Sequence, residues 1–200
     1  MDKVAIISDS IASLPPGMAE KYGIRTVPIH IEFDRKIYRD GVDLSAAEAY
    51  RMLREKPDLF HSSPAPAGEY VAVFKQAAMN THSILCITLS IKLSSMYNMA
   101  RLAIDQVKRQ MPGVSIELLD SHMAATGEGL VVERAAQAAA EGKSLAEVSS
   151  IARETSEKVN VIGVMDTIRD VYRTGRIPKL AARFGSSLNI RPIFIIIEGG

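Results

Sequence analysis

Short apolar runs alternate with amphipathic segments along most of the chain, and this rhythm is the strongest constraint on its fold. Val4–Ile7, Ser83–Leu89 and Val114–Leu119 are apolar runs of strand length, typical of strands that are buried on both faces. Between the last two runs, apolar side chains recur at helical spacing from Tyr97 to Met111, which predicts a helix with one core-facing stripe. Strands separated by helices favour an α/β fold with a largely parallel sheet covered on both faces.

Capping signals mark the start of two further helices. Ser45 with Glu48, and Ser144 with Glu147, have the spacing of a capping box, so helices are predicted to begin at residues 46 and 145. The other expected helices are a short one that ends near Gly23, one over Gly68–Met79 and an alanine-rich one over Thr126–Ala140. The other expected strands are Thr26–Phe33, Asn160–Met165 and Ile190–Ile197.

A boundary between two units is predicted near residues 153–160. We expect a Rossmann-like α/β domain over residues 1–155 and the start of a smaller α/β domain over residues 156–200. The second segment ends in an apolar strand, and an isolated pair of strands is only marginally stable in water. We therefore expect the smaller domain to be truncated in this sequence.

The charge balance and the cysteine content argue against several classes of protein. The chain has 24 Lys and Arg against 23 Asp and Glu, a net charge of +1, which gives no general attraction to nucleic acid or to acidic membranes. Cys86 is its one cysteine, so an intrachain disulfide is excluded and a reducing compartment is favoured. Polar residues appear too early for a signal peptide, and no apolar stretch has the length of a membrane span. We expect a cytoplasmic protein with neither a nucleic-acid partner nor integral membrane association.

Polar side chains follow several of the predicted strands. They are Asp9, Ser10, Ser90, Ser94, Ser95, Asp120 and Ser121. Ser62 and Ser63 lie in a predicted loop before Pro64. Ligands of open parallel sheets bind beyond the carboxyl ends of the strands, so these groups predict a polar site at that edge. Each position also has an ordinary interpretation, because Asp and Ser after a strand often cap a helix or close a turn.

Sequence motifs weaken several enzyme classes without naming the ligand. The chain has no dinucleotide-binding glycine motif, no phosphate-binding loop of the Walker type and no serine in a nucleophile elbow. None of its four histidines pairs with another at metal-ligand spacing, so neither a metal nor another cofactor is expected. Two alternatives stay open. One is a serine hydrolase that uses Ser94 or Ser121 with a histidine, and the other is a binder of a small polar or phosphorylated metabolite at the strand ends.

Eight motifs, in order, resemble those of the DegV family. The segment that begins at Ser8, S-D-S-I-A-S-L, is similar to the family's T-D-S-T-A-D-L, and the segment from Ser90, S-I-K-L-S-S-M-Y-N, is similar to its S-S-x-L-S-G-T-Y-N. The other matching segments are Val27–Ile29, Tyr38–Asp43, Ser62–Tyr70, Leu119–Ser121, Thr174–Ile177 and Arg191–Ile193. The match covers essentially the whole chain, and eight motifs in one order are specific even though each is short.

The resemblance implies a carrier of long-chain fatty acid that is not itself an enzyme. The acid would lie between a Rossmann-like domain and a smaller α/β domain, and a fatty acid kinase would convert the presented acid to acyl phosphate for phospholipid synthesis. The family's carboxylate-binding hydroxyls correspond to Ser62 and Ser94, with Ser63 and Ser90 as neighbours of the same kind. Arg176 corresponds to an arginine expected to contact a partner or a phosphate.

Some positions depart from the family pattern beside the expected head-group site. Ser95 stands where the family has glycine, and Met96 stands where it has threonine. Ser62 replaces a threonine but keeps the hydroxyl. Because Ser95 adds bulk where the backbone would approach the ligand, we expect the head-group geometry to differ from that of the family.

A fatty acid requires apolar surroundings for its tail and hydrogen-bond donors for its carboxylate. Burial of each methylene contributes about 0.8 kcal/mol, so a long tail contributes on the order of 10 kcal/mol before ordering costs. Neutral hydroxyls satisfy a carboxylate that would otherwise be very costly to bury. The expected tail-lining residues are Ile29, Ile31, Met123 and Ile162.

Overall fold

A computed structural model describes residues 3–166, 174, 176, 191 and 193–196. The strands are β1 Ala5–Asp9, β2 Arg25–Val27, β3 His30–Phe33, β4 Lys36–Arg39, β5 Phe60–Ser63, β6 Ser83–Thr88, β7 Ser115–Asp120, β8 Val161–Val164 and β9 Ile193–Ile196. The α-helices are α1 Met18–Tyr22, α2 Ala46–Glu55, α3 Ala67–Ala78, α4 Met96–Gln110, α5 Thr126–Ala140 and α6 Leu145–Lys158. Short 3-10 turns at Ser10–Ala12 and Pro57–Leu59 follow β1 and α2.

The main sheet is parallel and has the strand order β2-β1-β6-β7. Ile6 pairs with Leu85 in the neighbouring strand, and Leu85 pairs in turn with Glu117. β1 and β6 lie in the middle of the sheet and are almost wholly buried. The predicted α/β class with a parallel sheet is therefore confirmed.

Alternate side chains of the central strands point into two separate apolar layers, as the two-residue period of a strand requires. On one face, Ile7 and Cys86 pack with Phe74 of α3 and with the buried stripe of α4. On the other face, Ile6 and Leu85 pack with the apolar faces of α5 and α6. The sheet is thus covered by helices on both sides, which positions its carboxyl edge as the open end of the structure.

A second sheet, antiparallel with the order β4-β3-β5, was not predicted. The predicted single strand Thr26–Phe33 is wrong, because the chain leaves the main sheet after Val27 and enters the second sheet at His30. Pro28 lies at the break, and proline has no amide hydrogen to continue a ladder. The predicted loop before Pro64 is likewise wrong, because Ser62 and Ser63 end strand β5.

The helix predictions agree closely with the structure. α5 spans the predicted residues, and the capping boxes at Ser45 and Ser144 are both formed. Gly23 ends α1 with a positive φ of 67°, a conformation that glycine adopts without a steric penalty. Local signals therefore sufficed wherever a cap or a helical stripe was strong.

β8 and β9 form an antiparallel pair, with Ile162 opposite Ile195. The expected strands at both places are confirmed in part, although residues 190 and 197 lie outside the described residues. The predicted boundary after residue 155 falls within α6, and the division into domains stays a prediction. No helix among the described residues has the length and apolar character needed to span a membrane.

Candidate functional site

A cavity of about 160 Å³ lies where the end of β5 meets the loop between β6 and α4. Its walls are mostly apolar, with hydroxyls and one guanidinium among them. The lining residues are Ile11, Ile29, Ser62, Ser63, Pro64, Leu89, Leu93, Ser94 and Arg176. Four of the predicted site residues, two of them from separate segments of the chain, therefore border one space.

The strand β5 positions the first two hydroxyls. Ser62 is opposite Ile31 and Ser63 is opposite His30 in the antiparallel ladder with β3. Nε2 of His30 lies 2.7 Å from Oε1 of Glu69, which ties this sheet to α3. Because both serines are exposed, their hydroxyls are accessible to a ligand from this side.

A tight turn after β6 positions Ser94. The amides of Leu93 and Ser94 donate to the carbonyl oxygen of Ser90 at 2.9 and 3.1 Å. The buried Ser90 hydroxyl accepts a hydrogen bond from the amide of Lys92 at 3.2 Å. Ser94 is half-buried, and its Oγ lies 3.4 Å from the amide nitrogen of Met96. Ser90 thus builds the turn that presents Ser94 to the cavity.

Arg176 brings a positive charge to the edge of the cavity. Its Nε donates to the carbonyl oxygen of Leu93 at 3.4 Å, and its Nη1 donates to that of Thr174 at 2.8 Å. The side chain is exposed. A guanidinium held by backbone carbonyls beside hydroxyl donors is suited to an anionic group, because charge-assisted hydrogen bonds are the stronger ones.

Asp9 and Ser10 hold the cavity walls from beneath. Asp9 Oδ1 accepts a hydrogen bond from the amide of Ile11 at 3.0 Å, and Oδ2 accepts one from the amide of Leu89 at 2.9 Å. Ser10 Oγ accepts one from the amide of Ile29 at 3.1 Å. Burial raises the pKa of Asp9 to about 6, even though the two amide donors lower it. The two side chains therefore position three of the apolar lining residues.

The remaining predicted residues are not among those that line this cavity. Asp120 Oδ1 accepts a hydrogen bond from the amide of His122 at 2.9 Å, and Ser121 Oγ accepts one from the amide of Met123 at 3.1 Å. Both side chains close the turn after β7, the ordinary role considered above. Ser95 is exposed and begins α4 without a side-chain cap.

The hydrolase alternative finds no support in the arrangement near His122. Nδ1 of His122 lies 3.3 Å from Asp120 Oδ2, while the hydroxyl of the adjacent Ser121 donates to the carbonyl oxygen of Met123 at 3.3 Å. Among the residues described, no cluster of three His, Cys, Asp or Glu side chains is placed to hold a metal ion.

One buried residue was missed from the sequence. Glu128, in the first turn of α5, is fully buried and accepts a hydrogen bond from Ser8 Oγ at 3.3 Å. Burial, and next the charge of Asp9, raise the pKa of Glu128 well above its usual range. A signal was present, because Glu128 shares the helical stripe of the core residues Val131, Val132 and Ala135.

Larger cavities lie elsewhere on the molecule. One of about 540 Å³ borders the amino ends of β1 and β2, with Lys3 and Arg25 among its lining residues. Another of about 350 Å³ lies near Pro28 and Asp40. The small cavity is nevertheless the better candidate, because it lies at the carboxyl edge of the parallel sheet, where ligands of such sheets bind.

Comparison with known proteins agrees with this architecture. Residues 3–200 match the profile of a family described as "Uncharacterised protein, DegV family". A DegV domain-containing protein of Caldanaerobacter subterraneus is 35% identical over 201 residues, which cover 100% of this chain and 69% of that protein.

Two solved structures have the same fold. A DegV family protein of Thermus thermophilus, described by its fatty acid binding, has a TM-score of 0.85 at 26% identity and is matched over 100% of this chain and 69% of its own. A stearic acid-binding protein of Eubacterium ventriosum has a TM-score of 0.88 at 25% identity, over 100% of this chain and 68% of its own. On the extent of these matches, the chain belongs to the DegV family.

Proposed function

We propose that this chain is a carrier that binds a long-chain fatty acid, with the carboxylate held at Ser62 and Ser94. The observation that carries the proposal is the shared cavity, in which hydroxyls from two distant segments and one guanidinium meet among apolar walls. The family membership supports the same conclusion, because its solved relatives are described as fatty-acid-binding proteins.

The chemistry of the cavity fits an acid with an apolar tail. The hydroxyls of Ser62 and Ser94 serve as donors to a carboxylate, and Arg176 at the edge adds a positive charge. Hydrogen bonds to a charged group contribute about 1.5–3 kcal/mol each. Leu89 and Leu93 provide apolar surface next to these donors, where the first methylenes would lie.

The volume of this cavity limits what it holds by itself. At about 160 Å³, it is smaller than the roughly 300 Å³ of the lesser ligand pockets of proteins. It therefore takes the head group and the first methylenes, and the rest of the tail would extend beyond it. Of the four expected tail-lining residues, Ile29 lines the cavity, Ile31 and Met123 are buried, and Ile162 is 68% exposed.

The proposed carrier presents its acid to a fatty acid kinase rather than acting on it. Arg176 is exposed at the edge of the cavity, so a partner protein or a phosphate that approaches the head group would meet its guanidinium. Cytoplasmic location and the partnership with a kinase are predictions from the sequence and from the family resemblance.

Mass spectrometry of lipid extracted from the purified chain tests fatty acid binding directly. A fluorescent fatty acid then measures affinity in the unaltered chain and in Ser62→Ala and Ser94→Ala. Each change should weaken binding by about 10- to 100-fold, the effect of one lost hydrogen bond to a charged group. Ser150→Ala is the control, because Ser150 is exposed on α6 and its hydroxyl bonds only locally, to Glu154. Lipid-free extracts together with unchanged affinity in both variants would refute the proposal.

Phosphoryl transfer tests the partnership with a kinase. Labelled fatty acid, ATP and a bacterial fatty acid kinase are combined with the chain, and formation of acyl phosphate is measured. Arg176→Ala should lower this transfer more than it lowers fatty acid affinity. Equal losses would remove the argument for a contact between Arg176 and the partner or phosphate.

A further inference from the structure

Two carboxyl groups are buried against each other beneath the cavity. Asp9 ends β1 and Glu128 lies in the first turn of α5, and both side chains are 0% exposed. They are close enough that a hydrogen bond between them lowers the pKa of Asp9 and raises that of Glu128. Ser8 donates from the same strand to Glu128 Oε1 at 3.3 Å. Such a pair is unusual, because buried carboxyls are rare without a compensating partner.

A close helix contact holds Glu128 in this place. Gly129, the next residue of α5, packs against the 3-10 turn that follows β1, and a Cβ at Gly129 would overlap the carbonyl oxygen of Ala12. Because α5 approaches the turn this closely, Glu128 has little room to withdraw from Asp9. The contact is therefore built into the packing of the helix and not only into its side chains.

Both oxygens of Asp9 are already used as acceptors from residues that line the cavity. Oδ1 accepts from the amide of Ile11 and Oδ2 from the amide of Leu89, at 3.0 and 2.9 Å. Two amide donors favour the ionised form of Asp9. A second negative charge on Glu128, at short range and away from water, would be strongly unfavourable.

Glu128 has an oxygen that a proton would satisfy. Oε2 of Glu128 is buried without a hydrogen-bond partner, which is costly for an ionised carboxylate. A protonated carboxyl has an O–H that can donate, and the Asp9 carboxylate is the neighbouring acceptor. The orphaned oxygen and the two amide donors thus assign the acid to Glu128 and the carboxylate to Asp9.

The other titratable groups around the pair act in the same direction. Tyr70 of α3 and Cys86 of β6 are electrostatically coupled to both carboxyls, and Asp120 of β7 is coupled to Glu128. Burial, above all, raises the pKa of Tyr70 and of Cys86, and the charges of Asp9 and Glu128 raise both further. Each of these neighbours is an acid, so a negative charge on any of them favours retention of the proton by the pair.

We propose that Asp9 and Glu128 share one proton and that this pair positions the walls of the head-group cavity at Ile11 and Leu89. Glu128 is then a positioning residue, which acts on the ligand only through Asp9 and the two amides. The inference rests on the proposed fatty acid function, and it adds a dependence on pH. When the pair loses its proton in alkaline solution, repulsion displaces Asp9, the two walls move, and binding weakens.

Glu128→Gln separates the shared proton from a merely structural role. Glutamine has the shape of the protonated acid and donates to Asp9 at every pH, so fatty acid affinity should lose the part of its pH dependence that belongs to the pair. In the unaltered chain, affinity should fall by about tenfold or more between pH 6 and 9 relative to Glu128→Gln, the ratio that one unit of pKa represents. Glu128→Ala has no donor and should bind weakly throughout. Glu133→Gln, the same change on a partly exposed position of α5, should leave the profile unaltered.

Infrared spectroscopy of the same variants detects the proton without any ligand. The unaltered chain should show the carbonyl band of a protonated carboxylic acid at neutral pH, and Glu128→Gln should lack it. Absence of that band, or the same pH profile of affinity in the unaltered chain and in Glu128→Gln, would overturn the inference even if fatty acid binds. If the band is present but no variant binds fatty acid, the proposed function fails while the shared proton stands, so the two failures are distinguishable.

Discussion

The parallel sheet and the antiparallel sheet form opposite sides of the candidate site, and they are packed very differently. The central strands β1 and β6 are buried between two helical layers. In the antiparallel β4-β3-β5 sheet and its neighbour α2, by contrast, only Ile31 and Leu44 are buried apolar residues, and none of the residues Ala46–Glu55 is buried. Ile37 and Tyr50 there are 66% and 65% exposed.

This difference indicates that the cavity has one rigid wall and one lightly held wall. Leu89 and Ser94 extend from the end of β6, within the main core, whereas Ser62 and Ser63 belong to the lightly packed sheet. Regions with few buried apolar contacts open at lower free energy than a core. A ligand that bridges the two walls should therefore stabilise the antiparallel sheet more than the parallel one.

The largest expected effect comes from deleting an aromatic ring on the rigid side. Phe74 is fully buried between α3 and the main sheet, so Phe74→Ala should lower the free energy of unfolding by about 3–5 kcal/mol. Tyr50→Ala on the exposed side should change it by no more than about 0.5 kcal/mol. Denaturant unfolding measures both. Similar losses in the two variants would show that the two regions are equally well packed.

Helix packing on the rigid side gives a prediction with opposite signs. Gly129→Ala forces a methyl group against the backbone of Ala12 and should destabilise the chain by about 1–3 kcal/mol. Gly68→Ala in α3 meets open space and should stabilise it by about 0.5–1 kcal/mol, because alanine loses less backbone freedom in a helix. Thermal unfolding of both variants decides the matter, and a neutral Gly129→Ala would mean that α5 can move away.

The buried carboxyls predict a stability that declines with rising pH. Burial raises the pKa of Asp9 from 3.8 to about 6, so above pH 4 the folded chain retains protons that the unfolded chain releases. The stabilisation is complete below the unfolded pKa and is lost as pH rises through the folded pKa, with a loss on the order of 2 kcal/mol. Urea unfolding between pH 4 and 8 measures it. A stability that increases steadily over this range would contradict the predicted burial.

The smallest effect should come from the contact that links the two regions. His30 of β3 and Glu69 of α3 are 2.7 Å apart, and their side chains are 16% and 30% exposed. His30→Ala should cost about 1 kcal/mol or less, because partly exposed pairs contribute little. Hydrogen exchange should nevertheless show faster opening of β3 and β5 with little change in β1 and β6. Uniformly faster exchange in both sheets would indicate that they unfold as one unit.

Helices and central strands could be predicted from the sequence because their signals are local. Thr126–Ala140 is rich in strong helix formers, and two capping boxes mark further helix starts. The antiparallel sheet was missed because β3 continues the apolar pattern of β2, and only the change of hydrogen-bond partner after Val27 separates them. Which strand pairs with which depends on contacts distant in sequence, and a periodicity of side chains does not contain that information.

The site divides in the same way. The order of polar motifs was sufficient to select Ser62 and Ser94, since strand ends in a parallel sheet share one edge. Their meeting in one cavity, the separation of Asp120 and Ser121 into a turn, and the burial of Glu128 against Asp9 all depend on how the layers pack. By itself the sequence determined the elements and the candidate hydroxyls, because both follow from residue type and spacing. Only the tertiary structure decided which side chains touch and which lose water, because distances and burial arise when segments far apart in the chain pack together.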